Sequence, residues 1–186
     1  MSYSETNLKR RVEMENTLLQ LMKEQSFDTI TVKDMTQRLQ IARKTFYSYF
    51  PNKHACLDSL TDRLIYECTL EQLQGTTGQQ NMPQFFQIWT DFWLKNRGFL
   101  EVLRTNRMGE YLIQRLMRYI TEEHPETLKL MNTAHLPCDE DILYFCISGN
   151  VALLMKWCQE GFTLPPEEMV AKQLRLSCLP LIHSGL

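Results

Sequence analysis

The chain has 186 residues, of which 44% are hydrophobic and 23% are charged, so it is large and apolar enough to bury a core. This composition excludes a globally disordered chain, and no apolar run approaches the about 20 residues that a bilayer-spanning helix needs. A net charge of −2 argues against a protein that coats nucleic acid over its whole surface. No apolar secretory segment precedes the first predicted helix, so the expected location is the cytoplasm.

The charge is distributed unevenly along the sequence. Residues 1–60 contain nine Lys and Arg and seven Asp and Glu, a net of +2, whereas residues 61–186 contain eleven and fifteen, a net of −4. This is the sign expected of a small DNA-contacting domain attached to an acidic one. Because the positive excess is small, we expect few phosphate contacts per subunit and therefore two copies on the DNA.

The N-terminal part is predicted to be helical, with short breaks between its helices. Apolar spacing predicts helices over residues 7–25, 31–39, 43–49 and 53–73. Thr31 is a suitable N-cap with Asp34 as its capping-box partner, and Pro51 breaks the chain before Asn52 caps the next helix. Val32, Met35 and Leu39 are expected to face the core, and Phe46 and Phe50 are expected on one side of the next helix. Ile41 is expected to be buried in the turn between the two short helices.

The remaining sequence also has helical periodicity. Helices are predicted over about residues 83–96, 99–104, 108–123, 139–160 and 165–179, with a short one after Pro125 and a break at residues 135–137. No β-alternation of useful length is present, so the predicted fold is all-α. The predicted domains are residues 1–52, a helix-turn-helix DNA-binding domain, and residues 53–186, a helical bundle for ligand binding and dimerisation.

The residues around the second short helix point to DNA recognition. In a helix-turn-helix, the first residues of the second helix face base edges. Here they are Arg43, Lys44 and Thr45, where Arg and Lys suit guanine and Thr suits thymine. Phosphate contacts are predicted for four further residues, namely Tyr47 and Tyr49 through their hydroxyls and Thr31 and Lys53 at helix starts.

These residues also carry a family resemblance. Residues 10–60 resemble the DNA-binding domain of TetR-family transcriptional regulators, with matching runs at residues 27–35, 41–47 and 49–53. The resemblance implies a homodimer in which each copy reads one half-site in the major groove of double-stranded operator DNA, and it implies the same seven contact residues. The sequence departs from the family at Ala42, where a capping Ser or Thr is usual, at Lys44, where a small residue is common, and at Tyr49, where His is common. These departures affect the operator sequence and not the fold.

The C-terminal segment resembles the last two helices of one TetR subgroup. The matching residues run from Ser148-Gly149 through Lys156-Trp157 and Gly161-Phe162 to Pro165-Pro-Glu-Glu-Met169. The resemblance implies that these two helices form the homodimer interface. The apolar excess of residues 142–157 agrees with burial on more than one side.

The aromatic and Met-rich middle of the chain is a candidate effector pocket. The candidate lining residues are Phe86, Trp89, Trp93, Met108, Met117 and Met155. Such a lining would suit a small apolar or aromatic effector. Aromatic side chains at helical spacing more often form core, and Trp89 and Trp93 could equally cover a dimer contact.

The sequence offers no pattern typical of a catalytic or metal site. The four His are isolated, and the six Cys lack zinc-site spacing, so we expect no enzyme activity, metal or cofactor. The predicted function is a sequence-specific transcriptional regulator, a ligand-responsive repressor. The alternatives are a TetR-fold co-regulator that acts through a protein partner, a small helical enzyme and a thiol sensor. The sequence leaves open the effector, the operator and the choice between repression and activation.

Overall fold

Nine α-helices make up most of the described residues. The structure is a computed structural model that describes residues 3–74, 82–125 and 140–178. The helices are α1 Tyr3–Glu24, α2 Val32–Leu39, α3 Arg43–Tyr47, α4 Lys53–Gln74, α5 Met82–Lys95, α6 Arg97–Thr105, α7 Gly109–Arg118, α8 Glu140–Gln159 and α9 Pro166–Cys178. A 3-10 turn, Phe27–Thr29, precedes α2, and a π-helical turn, Tyr119–Glu123, follows α7. These residues contain no strand, so the predicted all-α class is confirmed. The helix predicted after Pro125 and the break at residues 135–137 lie outside the described residues.

The chain divides into two compact units, which we call the head, Met1–Leu64, and the body, Ile65–Leu186. The division falls inside α4, whereas the domain boundary drawn from the sequence stands at the first residue of that helix. The head contains the two short helices α2 and α3. The body contains α5 to α9.

The core of the head gathers one apolar face from each of its helices. Its fully buried side chains include Met14 and Leu18 of α1, Met35 of α2 and Phe46 of α3. Phe50 is also buried. The expectation for Ile41 is wrong, because its side chain is only half-buried. The turn is held instead by the backbone, since Gln40 adopts a left-handed conformation and Ile41 N–H donates to the Thr36 carbonyl at 3.0 Å.

A buried carboxylate joins the first and last helices of the head. Glu15 is 2% exposed and accepts from Arg63 Nε at 2.9 Å and from Ser59 Oγ at 2.8 Å. Arg11 donates to the same Ser59 hydroxyl at 3.1 Å and lies over the Phe50 ring at 4.7 Å from its centroid. A buried charge is stable only when it is paired in this way, so the contact fixes α1 against α4.

The body is built around aromatic side chains. Helix α5 packs against α9, and α6 and α7 pack against α8. Trp93 and Trp157 are fully buried, and the Trp93 ring stacks on Phe99 with centroids 6.2 Å apart. The Trp157 Nε1–H donates to the Leu164 carbonyl at 2.9 Å, which fastens α8 to the segment before α9.

Helix α8 keeps part of its apolar surface exposed. Ile142, Tyr144 and Phe145 are 41%, 46% and 65% exposed. By length and composition alone α8 could cross a membrane, a test that core helices of other proteins also pass. An exposed apolar face on a helix that is otherwise packed in a bundle is typical of an interaction surface.

Candidate nucleic-acid interface

The start of α2 is fixed by a complete capping box. The Asp34 backbone N–H donates to Thr31 Oγ1 at 3.2 Å, while the Thr31 backbone N–H and hydroxyl both donate to Asp34 Oδ2, at 2.8 and 2.7 Å. The hydrogen bond from the Thr31 hydroxyl lowers the pKa of the Asp34 carboxyl. The Thr31 hydroxyl proton is therefore directed at Asp34, and the free first-turn N–H groups of α2 are the donors left for an anion at this helix start.

Helix α3 presents its first two side chains to solvent. Its N-cap is Ala42, which supplies no side-chain hydrogen bond, as its methyl group requires. Arg43 and Lys44 are exposed, whereas Thr45 is half-buried. Within the described part of the chain neither cation enters a salt bridge. Phe46, three residues after Arg43, is completely buried and orients the helix. Because the side chains of Arg43 and Lys44 are exposed, both cations are available to a ligand.

The two tyrosines at the end of α3 have different surroundings. Tyr47 is 54% exposed, and its neighbouring ring contact is with Phe46 at a centroid distance of 5.7 Å. Tyr49 is half-buried, and its hydroxyl donates to Asn7 Oδ1 of α1 at 2.9 Å. Tyr47 is thus the tyrosine whose hydroxyl is open to a phosphate. Tyr49 would have to exchange Asn7 for the phosphate.

Lys53 makes a contact that the sequence analysis missed. Its ammonium group donates to three backbone carbonyls in the segment before α2, those of Phe27 at 2.6 Å, Asp28 at 2.9 Å and Ile30 at 2.8 Å. It also lies 4.7 Å from the centroid of the Phe27 ring, which His54 contacts edge-on. Because an ammonium group has three N–H donors, these carbonyls use all of them.

This contact sets the spacing of two helix starts. Lys53 is the first residue of α4, and its three acceptors lie immediately before the cap of α2. Asn52 Oδ1 accepts from the Ala55 N–H at 2.9 Å, which confirms the cap predicted there. A phosphate contact by Lys53 remains a prediction. No local pattern in the sequence signals its carbonyl contacts, since the partners lie 23 to 26 residues away.

The candidate pocket residues fall into two groups in the body. On α5, Phe86 and Trp93 are buried, and the Trp89 and Trp93 rings meet edge to face with centroids 5.6 Å apart. In the second group, Met155 of α8 lies beside Gly109, the residue that follows Met108. Met117 is half-buried on α7. Whether these residues line one pocket remains a prediction.

Three of the described cysteines, Cys56, Cys68 and Cys158, are not activated thiols. Burial raises the pKa of Cys56 to about 12 and also raises the pKa of Cys68. Burial raises the pKa of Cys158 as well, although a hydrogen bond from Arg104 opposes this. A thiol sensor needs an accessible thiolate, so these three residues do not support thiol sensing. Among the residues that the structure describes, no three His, Cys, Asp or Glu side chains form a candidate metal site.

The head is similar to a known protein family. Residues 16–60 match the model of the family described as bacterial regulatory proteins, tetR family. This stretch contains α2, α3 and the first turns of α4, together with all seven predicted DNA-contact residues. No curated protein matches the sequence. A family of regulatory proteins agrees with the prediction that the chain is not an enzyme.

Several solved structures share the fold over most of the chain. FadR from Thermus thermophilus, a TetR-family transcriptional repressor in complex with lauroyl-CoA, has a TM-score of 0.60 and 17% identity, covering 95% of each chain. The fatty acid degradation regulator FadR from Bacillus halodurans has a TM-score of 0.63 and 15% identity, covering 90% of this chain and 94% of its own. A tetR-family transcriptional regulator from Streptomyces coelicolor has a TM-score of 0.53 at 15% identity. At these identities the likeness establishes the fold.

We expect Lys53→Met to lower the free energy of unfolding by about 2 kcal/mol, because it leaves three backbone carbonyls without their charged donor. Urea unfolding of the full chain measures this. The matched control is Lys44→Met, which removes an exposed cation and should change stability by less than about 0.5 kcal/mol. Equal stabilities for the two variants would show that the Lys53 contact does not stabilise the head.

Proposed function

We propose that this chain, which carries the DNA-binding head of the TetR family of bacterial regulators, is a ligand-responsive repressor that binds operator DNA as a homodimer. The observation that carries the proposal is the geometry of α3. Its inner face holds Phe46 in the core, and its first residues, Arg43 and Lys44, are exposed cations without a salt bridge in the described part of the chain. A helix mounted in this way can enter a major groove, where Arg and Lys donate to guanine O6 and N7.

The proposed phosphate contacts surround α3. Tyr47 offers an exposed hydroxyl at the end of α3, and the α2 and α4 starts offer unpaired backbone N–H groups near Thr31 and Lys53. The Lys53 ammonium holds those two helix starts in register through its carbonyl contacts. We therefore assign Lys53 a positioning role in the free protein. Tyr49 and Lys53 reach phosphates only by exchanging their present partners.

The proposed dimer contact lies on α8 and α9. Ile142, Phe145, Gly149 and Ala152 follow one another at spacings of three and four, so they share one face of α8, and all four are exposed. Leu176 of α9 is 44% exposed. Small residues such as Gly149 and Ala152 allow a second helix to approach closely. A second copy of the chain would bury this face and give two heads at a fixed separation, as two half-sites require.

The proposed response to a ligand is a shift between conformations. An effector held in the body would favour a dimer whose heads no longer match adjacent major grooves, and it needs a different affinity for the two conformations to do so. The structure of the Thermus thermophilus repressor contains lauroyl-CoA, so a protein of this fold binds a small molecule with an apolar part. We expect the protein to act in the cytoplasm, where its operator is.

We expect Tyr47→Phe to weaken binding to a duplex from upstream of the protein's own gene by about tenfold. The change removes one hydroxyl per subunit from a phosphate and leaves the ring in place. Fluorescence anisotropy with labelled duplex measures the dissociation constant. The matched control is Tyr66→Phe, which removes a hydroxyl of similar exposure from a part of α4 in the body.

Equal affinity of both tyrosine variants and the unmodified protein would contradict the assigned phosphate contact. Absence of any sequence-specific binding by a folded dimer would favour the alternative function, a TetR-fold co-regulator that works through a protein partner. This alternative is supported by Ala42, which leaves the start of α3 without a side-chain cap.

We expect Gly149→Gln to raise the dimer dissociation constant at least about tenfold. A Cβ atom at this position would have open space around it in its own subunit, so we attribute weaker pairing to a block of the second copy. The matched control is Gly98→Gln on α6, where an added Cβ also has open space. Sedimentation equilibrium of both variants measures the constant. A dimer unaffected by the Gly149 change would exclude close packing of α8 against its mate.

A further inference from the structure

Three buried side-chain N–H donors on the packed helices α5 and α9 have no acceptor. They are Trp89 Nε1, Trp93 Nε1 and Gln173 Nε2. Trp93 and Gln173 are both completely buried as residues. Buried donors in folded proteins nearly always have a partner, so three unpartnered donors on one pair of packed helices need a cause.

The three donors belong to one cluster. Thr90 is fully buried, and its hydroxyl donates to Gln173 Oε1 at 2.8 Å, which joins α5 to α9 at this point. Trp89 and Trp93 flank Thr90 on α5, and their rings touch at a centroid distance of 5.6 Å. With about 100° of rotation per residue, these three α5 positions fall within an arc of about 100° on one side of the helix.

The hydrogen bond between Thr90 and Gln173 does not give both N–H groups of the Gln173 amide an acceptor. An amide group has two N–H donors, and Thr90 can take one of them at most, whichever way the amide is turned. At least one Gln173 N–H therefore remains unpartnered. Each of the two indole nitrogens only donates, so each lacks its one possible partner.

A ligand oxygen that only accepts hydrogen bonds satisfies these donors better than a water molecule does. A carbonyl or carboxylate oxygen accepts two or more N–H bonds and adds no proton of its own. A water molecule accepts two bonds but brings two O–H donors that need acceptors in a site whose unsatisfied atoms are all donors. The rings of Phe92 and Phe99 contact the Trp93 ring, and Phe86 lies about one turn before Trp89 on α5. All three Phe are buried, so the rest of the ligand would have to be apolar.

We propose that Trp89, Trp93 and Gln173 form the polar end of the effector site and bind an aromatic molecule through a carbonyl or carboxylate oxygen. This assignment rests on the proposed ligand response and states its chemistry. Within the candidate pocket, Trp89 and Trp93 bind the oxygen of the ligand, and Phe86 contacts its ring. The two indoles and the amide thus discriminate against protonated amines, whose ammonium groups only donate hydrogen bonds.

The chain contains a built-in reference for a test by NMR. It has three Trp, and the Trp157 indole N–H is already bonded to the Leu164 carbonyl. A proton–nitrogen correlation spectrum of the full chain shows one indole cross-peak for each. Trp89→Phe and Trp93→Phe assign the peaks, since each variant removes one N–H and keeps an aromatic ring.

The probes are benzoate, acetophenone and benzylamine, which present a carboxylate, a carbonyl and an ammonium on the same ring. We expect the first two to move the Trp89 and Trp93 N–H protons downfield and to leave the Trp157 peak in place. Equal movement with benzylamine, or no movement with any probe, would overturn the proposal. So would Trp89 and Trp93 peaks that already match the bonded Trp157 peak in the free protein, because a resident water would then be the partner.

A second measurement concerns Gln173. In Gln173→Met, probe affinity should fall about two- to tenfold, the loss of one hydrogen bond, whereas Gln114→Met on the exposed side of α7 should bind as before. If Gln173→Met fails to fold, Trp93→Phe gives the same comparison. Unchanged probe affinity in a folded variant would show that Gln173 does not bind the ligand. Operator binding is measured separately: a protein that binds DNA but ignores these probes refutes this inference alone, and a protein that never binds DNA refutes the proposed function.

Discussion

The head depends most on one ammonium group. Lys53 donates to three carbonyls that immediately precede the cap of α2, while its own residue begins α4. The two helix starts are therefore held at one separation, with α3 between them in the chain. Glu15 adds a second fixed point by pairing with Arg63, which joins α1 to α4. Helix α3, of only five residues, cannot be oriented by its own length, so it relies on these contacts.

The body has two surfaces with different chemistry. One is the exposed apolar face of α8, with Phe145 at 65% exposure and small residues at Gly149 and Ala152. The other is the inner contact of α5 with α9, which is aromatic but contains donors that lack acceptors. The first is suited to a second copy of the chain and the second to a small molecule. In the proposed function, having both in one bundle would let ligand binding and subunit pairing influence each other.

Much of the fold and part of the candidate site could be predicted from the sequence. Helical periodicity and turn residues predicted the all-α class, the Thr31 cap and the buried Met35, because these depend on neighbours within one or two turns. The carbonyl contacts of Lys53 and the Glu15–Arg63 pair were missed, since each joins residues more than twenty positions apart. Ile41 was misjudged for a related reason: apolar character predicts burial, but the backbone bond to Thr36 holds the turn without it. The orphan donors could not be inferred, because satisfaction of a side chain depends on the packed neighbour.

The most direct test of the whole account is methylation interference on operator DNA from upstream of the gene. Methylation at guanine N7 blocks the major groove, and methylation at adenine N3 blocks the minor groove. If α3 of each subunit reads one half-site, N7 methylation will prevent binding at two clusters of guanines about 10 base pairs, or a multiple of that, apart. Interference at adenine N3 alone, or at a single cluster, would contradict a dimer that reads the major groove through Arg43 and Lys44.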